Sequence, residues 1–139
     1  MSLEYSEFAQ NQNNMKIGRA SLQSLLLNNV AEIRFRRRSN DPTRPPYRTM
    51  LCTNSDDILK GINGQITLNF DPPNQGPKYN PASKNIVITW DILMQEFRAV
   101  SMDDCELLNQ YPAGEEFWKV FNEKFYPMSA EQKVLYMNA

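Results

Sequence analysis

"AEIRFRRR", residues 31–38, decides how the rest of this chain is read. Ile33 and Phe35 alternate with Glu32, Arg34 and Arg36, so the apolar side chains share one face of a strand and the charges share the other. On such a strand Arg34, Arg36 and Arg38 project together, while Arg37 leans toward the side of Ile33 and Phe35 near the strand end. The next stretch, "SNDPTRPP", reads as a loop because Pro42, Pro45 and Pro46 cannot donate to a sheet ladder. "YRTMLCT", residues 47–53, then restarts the alternation, with Met50 and Cys52 opposite Tyr47, Thr49 and Leu51. The two runs predict a hairpin.

Upstream, residues 1–17 read as a mobile leader: "MSLEYSEFAQNQNN" is poor in aliphatics and ends in a polar tract, and Met15 offers a second start. "SLQSLLLNN" predicts a short amphipathic helix capped by Ser21, with Leu22, Leu25 and Leu26 at helical spacing and Asn28–Asn29 at its end.

Downstream, "SDDILKGING" reads as a turn or a single helical turn ended by Gly61 and Gly64, and "QITLNF" as a strand. A long Pro-rich loop follows over 71–82. "IVITWDI" and "QEFRAVSM" read as antiparallel partners across a tight turn near 93–95, and "CELL" as a closing strand after a 3₁₀-type turn at "MDD". In "GEEFWKVFNEKFY", Phe117, Val120, Phe121 and Phe125 form the stripe of an amphipathic helix. Ser129 with Gln132 is a capping box for a second helix, "AEQKVLYMN".

Composition bounds the chemistry. The 139 residues are enough for one domain with its own core, and 41% hydrophobic with 22% charged residues are the proportions of a globular chain. There is no histidine, and the two cysteines, Cys52 and Cys105, show no pairing or ligand spacing. A zinc site and histidine-dependent catalysis are therefore not expected, nor are a metal, a cofactor or an enzymatic activity. No segment approaches the roughly 18 apolar residues of a membrane helix, so the expectation is a cytoplasmic protein without a membrane partner. Charge is uneven: residues 1–50 hold eight Lys/Arg against four Asp/Glu, and residues 51–139 hold seven against twelve. A basic front and an acidic rear suggest partners chosen by face.

A short helix, then short strands with a 3₁₀ turn before the last, is the succession of a five-stranded Sm-like or SH3-like barrel. The expected fold is thus mainly β with flanking helices: helix plus barrel over 18–108, and a C-terminal helical extension over 109–139 packed on the barrel. Over about residues 31–108 the chain resembles small WYL-like, Sm-type SH3-barrel proteins of tailed bacteriophages. The resemblance is carried by Arg48, Met50, Cys52 and Thr53 in the second strand, and by Trp90–Asp91 and Phe97–Arg98 further on. It implies a phage-encoded module acting in the host cytoplasm, and related WYL domains imply nucleotide or nucleic-acid sensing.

Two surfaces are candidates for function. Arg34, Arg36 and Arg38, extended by Arg44 and Arg48 across the hairpin, form a basic face with planar forks suited to phosphate, and Tyr47 adds a stacking surface. Nucleic acid or a nucleotide is the leading partner, with an edge-blocking solvated strand face and an acidic protein surface as the alternatives. Phe117, Trp118, Phe121 and Phe125 are the second candidate, as core packing on the barrel, as a contact for a bacterial host protein, or as a self-association surface giving a homo-oligomer. On that reading the chain is a host-takeover or counter-defence protein acting through its C-terminal helices or Pro-rich loop. Trp90 is expected in the core, with Asp91 bridging Arg98. Asp103 and Asp104 are expected to cap their turn, Glu115 and Glu116 to occupy a helix N-terminus, and Cys52 to be a small buried hydrophobe.

Overall fold

The computed structural model describes residues 15–38, 41–66 and 84–139. In chain order the elements are β1 (Met15–Lys16), α1 (Arg19–Leu26), β2 (Asn29–Arg36), β3 (Tyr47–Thr53), α2 (Asp56–Ile66), β4 (Ile86–Asp91), β5 (Glu96–Ser101), β6 (Cys105–Pro112), α3 (Glu115–Val120) and α4 (Ala130–Met137), with a π-helical turn, Phe121–Phe125, continuing α3. The fold is mainly β. Its six strands pair antiparallel in the order β1-β6-β2-β3-β4-β5.

The sheet is open. Among the described residues no ladder joins β5 to β6, so β1 and β5 are edges and the expected closed five-stranded barrel is not formed. Where a strand over 65–70 is expected between them, β3 pairs directly with β4, and β6 returns beside β2. β6 is longer than the predicted "CELL", because Tyr111 and Pro112 still pair with Val30 and Asn29. The register shifts between Glu32 and Ile33, whose partners are Asn109 and Leu107. Leu108 is the extra residue, the local irregularity of a β-bulge. The end of the predicted leader is also part of the sheet, since Met15 and Lys16 pair with Leu107 and Glu106.

Strand parity distributes two cores. Leu22 and Leu26 of α1 cover Ala31, Ile33, Phe35, Met50 and Cys52 on one side. On the other, Val30, Leu51 and Trp90 pack with Ile58 of α2 and with Phe117 and Phe125. Trp90 is in the core as expected, meeting Phe97 edge-to-face at 5.0 Å and 75°. The helix α1 begins two residues before Ser21, at a Gly18 N-cap that makes no side-chain cap bond. Its end follows the sequence reading, because Asn29 Nδ2 donates to Leu25 O at 3.0 Å and satisfies a terminal carbonyl.

The largest departure lies at 56–66. Where two glycines predict a stop, α2 continues through Gly61 and Gly64. A tertiary contact explains part of this: a Cβ at Gly61 would lie 3.0 Å from Trp118 Cζ2, so the missing side chain lets the indole sit on the helix. Gln65 and Ile66, the start of the predicted strand, belong to α2. The rest of that strand and the Pro-rich loop at 71–82 lie outside the described residues. At the C-terminus the capping box is present, with Gln132 N donating to Ser129 Oγ at 3.2 Å and Ser129 N to Gln132 Oε1 at 2.8 Å.

Candidate functional site

The hairpin β2–β3 fixes where each arginine goes. Its register pairs Arg36 with Tyr47, Arg34 with Thr49, Phe35 with Arg48 and Ile33 with Met50. Residues directly opposite each other share a face. Arg34, Arg36 and Tyr47 are therefore together, as expected, and Arg48 is not with them.

On the first side Tyr47 is an organising ring. The Arg34 guanidinium carbon lies 4.4 Å from its centroid and that of Arg36 5.8 Å, distances at which a cation is attracted to an aromatic face. The phenol donates to Asp104, which also accepts from Lys16. Those two bonds, Lys16 first, hold the Asp104 carboxyl below its ordinary range, and Asp104 in turn raises the Lys16 ammonium. Arg34 Nη1 lies 3.5 Å from Glu106, itself on β6 and register-paired with Arg34. Arg36 and Arg38 are exposed, and Arg44 is exposed in the loop with Nε 3.9 Å from Asp41. The basic face is thus interleaved with carboxylates from β6 and its preceding turn.

Arg48 departs from the sequence reading. It is 5% exposed, opposite Phe35, and its Nη2 donates to the buried Asp91. A surface phosphate contact through this side chain is overturned by its burial. The physical reason is parity: Arg48 is in step with Met50 and Cys52, which face the interior. Asp91 also accepts from Met94 N at 3.1 Å, closing the turn where Gln95 takes φ +56°. Arg98, the expected partner of Asp91, stands with Nε at 3.9 Å from it and donates through Nη2 to Glu96 at 3.0 Å. Arg37 turns to the C-terminal segment, donating from Nε to Pro45 O at 3.0 Å and from Nη2 to Asn138 Oδ1 at 2.6 Å.

The C-terminal aromatics divide as well. Phe117 and Phe125 are fully buried, whereas Trp118 and Phe121 are half-buried and in ring contact at 5.7 Å. A partner approaching this region would meet Trp118 and Phe121, together with Tyr126 and Leu135, which are 73% and 71% exposed. A groove of about 580 Å³ lies beside them, lined by Pro127, Met128, Leu135 and Tyr136 among others.

A polar constellation in the interior is absent from the sequence reading. Glu32, buried at the apolar end of its strand face, accepts from Tyr111 Oη, from Tyr136 Oη at 2.7 Å and from Asn109 Nδ2 at 3.3 Å. Burial first, and then the Glu32 charge, push the Tyr136 phenol far above its ordinary value. The contact ties α4 to the sheet. Its signal in the sequence is that Val30 shares parity with Glu32, so the charge pattern of β2 does not by itself define a solvent face.

Asp103 accepts from Asn85 Nδ2 at 2.9 Å beside the turn. Both cysteines are buried free thiols, pushed up by burial, Cys105 to about 12. Among the described residues no group of three or more His, Cys, Asp or Glu is placed to hold a metal, and no helix is long and apolar enough to cross a membrane. Comparisons with protein-family models, with curated proteins and with solved structures find no match for this chain.

Proposed function

We propose that this chain is a phage-encoded, non-enzymatic accessory or regulatory module, acting in the host cytoplasm, that binds nucleic acid or a nucleotide through the exposed basic face of β2. The observation that supports this is the stack of Arg34 and Arg36 on Tyr47, continued toward Arg38. Guanidinium forks match phosphate oxygens, and the half-buried Tyr47 ring beside them adds a stacking surface. Asp104 and Glu106 oppose such binding until displaced, which favours a multivalent phosphate ligand over a single ion. The strand succession from β2 to β6 supports kinship with the SH3-like meander, here in an open form.

The test is salt dependence. Affinity for a mixed-sequence oligonucleotide should fall with salt at a logarithmic slope of about 0.7–0.9 per contacted phosphate. Arg34→Ser, Arg36→Ser and Arg38→Ser combined should flatten that slope while the domain stays folded. Absence of binding at low salt removes the proposal.

A second reading is favoured by the exposed Tyr126 and Leu135 beside the groove of α4. On it the chain is a host-takeover or counter-defence protein that binds a bacterial protein through its C-terminal helices. Tyr126→Ser with Leu135→Ser would then abolish capture of that protein and leave oligonucleotide binding unchanged.

A further inference from the structure

The end of α4 lies on the same hairpin face as the basic patch. Register gives that face three levels, Glu32 beside Leu51, Arg34 beside Thr49 and Arg36 beside Tyr47, roughly 7 Å apart along the strands. On the first level Tyr136 Oη donates to Glu32 Oε2 at 2.7 Å, and on the second Thr49 Oγ1 donates to Ala139 O at 3.4 Å. Thr49 is covered, at 4% exposed. Between these contacts Asn138 Oδ1 accepts from Arg37 Nη2 at 2.6 Å, so the segment also occupies a guanidinium that adjoins Arg36 and Arg38 in the chain. Residues 136–139 thus run along the face toward the arginines and reach Arg34's own register partner.

The hold on this segment is light. No residue of α4 is buried, and Val134 and Leu135 are 48% and 71% exposed. Its apolar anchor is the half-buried Tyr136 ring, edge-on to Phe125 at 5.8 Å. An element with few buried apolar contacts opens at a lower free-energy cost than the core. The sheet keeps the carboxylate partnered when it does, because Glu32 Oε1 accepts from Tyr111 Oη and Asn109 Nδ2, both on β6, and only Oε2 depends on α4.

We infer that residues 136–139 form an autoinhibitory strap on the basic face, which a nucleic-acid strand displaces as it binds. The inference rests on the nucleic-acid reading of that face and adds its regulation. With the strap in place, phosphates meet Arg36, Arg38 and the outer side of Arg34. With it released, the Arg37 fork is freed from Asn138 and Thr49 Oγ1 becomes a donor beside Arg34. Strap opening and strand binding are therefore linked, and the linkage runs both ways: a looser strap tightens binding, and a bound strand loosens α4.

The experiment measures the affinity of the full chain for a mixed-sequence single-stranded oligonucleotide, together with amide hydrogen exchange over residues 130–139. Tyr136→Phe with Asn138→Ala removes the Glu32 and Arg37 contacts and should tighten binding by about tenfold, the scale of one hydrogen bond to a charged group moved from the closed to the open population. Asn138→Ala alone, at an exposed position, should tighten it in the same direction and keeps the test decisive if the double variant is poorly folded. In the parent chain, saturating oligonucleotide should speed exchange over 130–139. Affinity unchanged in both variants, with exchange there unaffected by oligonucleotide, overturns the strap and leaves the basic-face reading standing. Exchange that slows when oligonucleotide binds also overturns it, because the segment is then part of the bound interface. No binding by the parent or either variant removes the basic-face reading and the strap with it.

Discussion

The two faces of one hairpin treat charge in opposite ways. On the side of Phe35, Met50 and Cys52 the arginine within the paired strands, Arg48, is interior, and its charge is met by one buried carboxylate, Asp91. On the side of Arg36, Tyr47 and Thr49 the arginines reach solvent and are met by a ring and by carboxylates at the rim. Further along that second side the face turns inward, and Glu32 is met by two phenols and an amide. Burial, rather than residue type, decides what a charge needs: a deep one needs a specific partner, and a shallow one needs little. Arg34 and Arg48, both arginines of the same hairpin, therefore have different roles.

The largest effects should come from the apolar packing that holds both faces in place. Trp90→Ala and Phe125→Ala should each lower stability by about 3–5 kcal/mol, the range for a large aromatic lost from a packed core. Urea denaturation reads this directly. An unmoved midpoint for Trp90→Ala would expose that ring and make it a ligand platform. A smaller effect sharpens the comparison at Glu32. Tyr136→Phe removes one donor to a buried carboxylate and should cost about 1.5–3 kcal/mol, the range for hydrogen bonds to charged groups. The Tyr136 pKa is raised in the folded protein, so its contribution is complete below the unfolded tyrosine value of about 10 and is lost as pH rises above it. Stability measured across pH 9–12, a window set around that value, should fall in the parent chain and fall less steeply in Tyr136→Phe. Identical slopes would separate Tyr136 from the alkaline transition.

Much of the hairpin is legible in the sequence, because alternation reports directly which side chains share a face. Ile33 with Phe35, and Met50 with Cys52, are placed by that rule. The same rule, followed one residue further, puts Arg48 with Met50, and the basic-patch reading breaks it by counting guanidiniums without their parity. Glu32 is harder to read, since its burial depends on α4, whose Tyr136 is more than a hundred residues away. The helix through Gly61 and Gly64 is also a tertiary effect: local propensity ends it, and the Trp118 ring against Gly61 favours close packing there. The open sheet follows from the absence, among the described residues, of ladder pairing between β5 and β6, a long-range feature that short alternating strands do not encode. The sequence leaves the C-terminal stripe open between core and partner surface; burial puts Phe117 and Phe125 in the core and removes them as partner contacts, while the capping box at Ser129 is a local signal that survives intact.

The central claim is that parity divides the hairpin arginines into an interior one and exposed ones, and a double-mutant cycle on Arg48 and Asp91 tests it most directly. Arg48→Met alone strands a buried carboxylate and should cost about 3–5 kcal/mol by urea denaturation, whereas Arg48→Met with Asp91→Leu should recover most of that loss. Arg34→Ser, measured alongside, should cost no more than about 1 kcal/mol, the scale of an exposed pair. An Arg48→Met protein as stable as Arg34→Ser, with no recovery on adding Asp91→Leu, would contradict the account and return Arg48 to the surface.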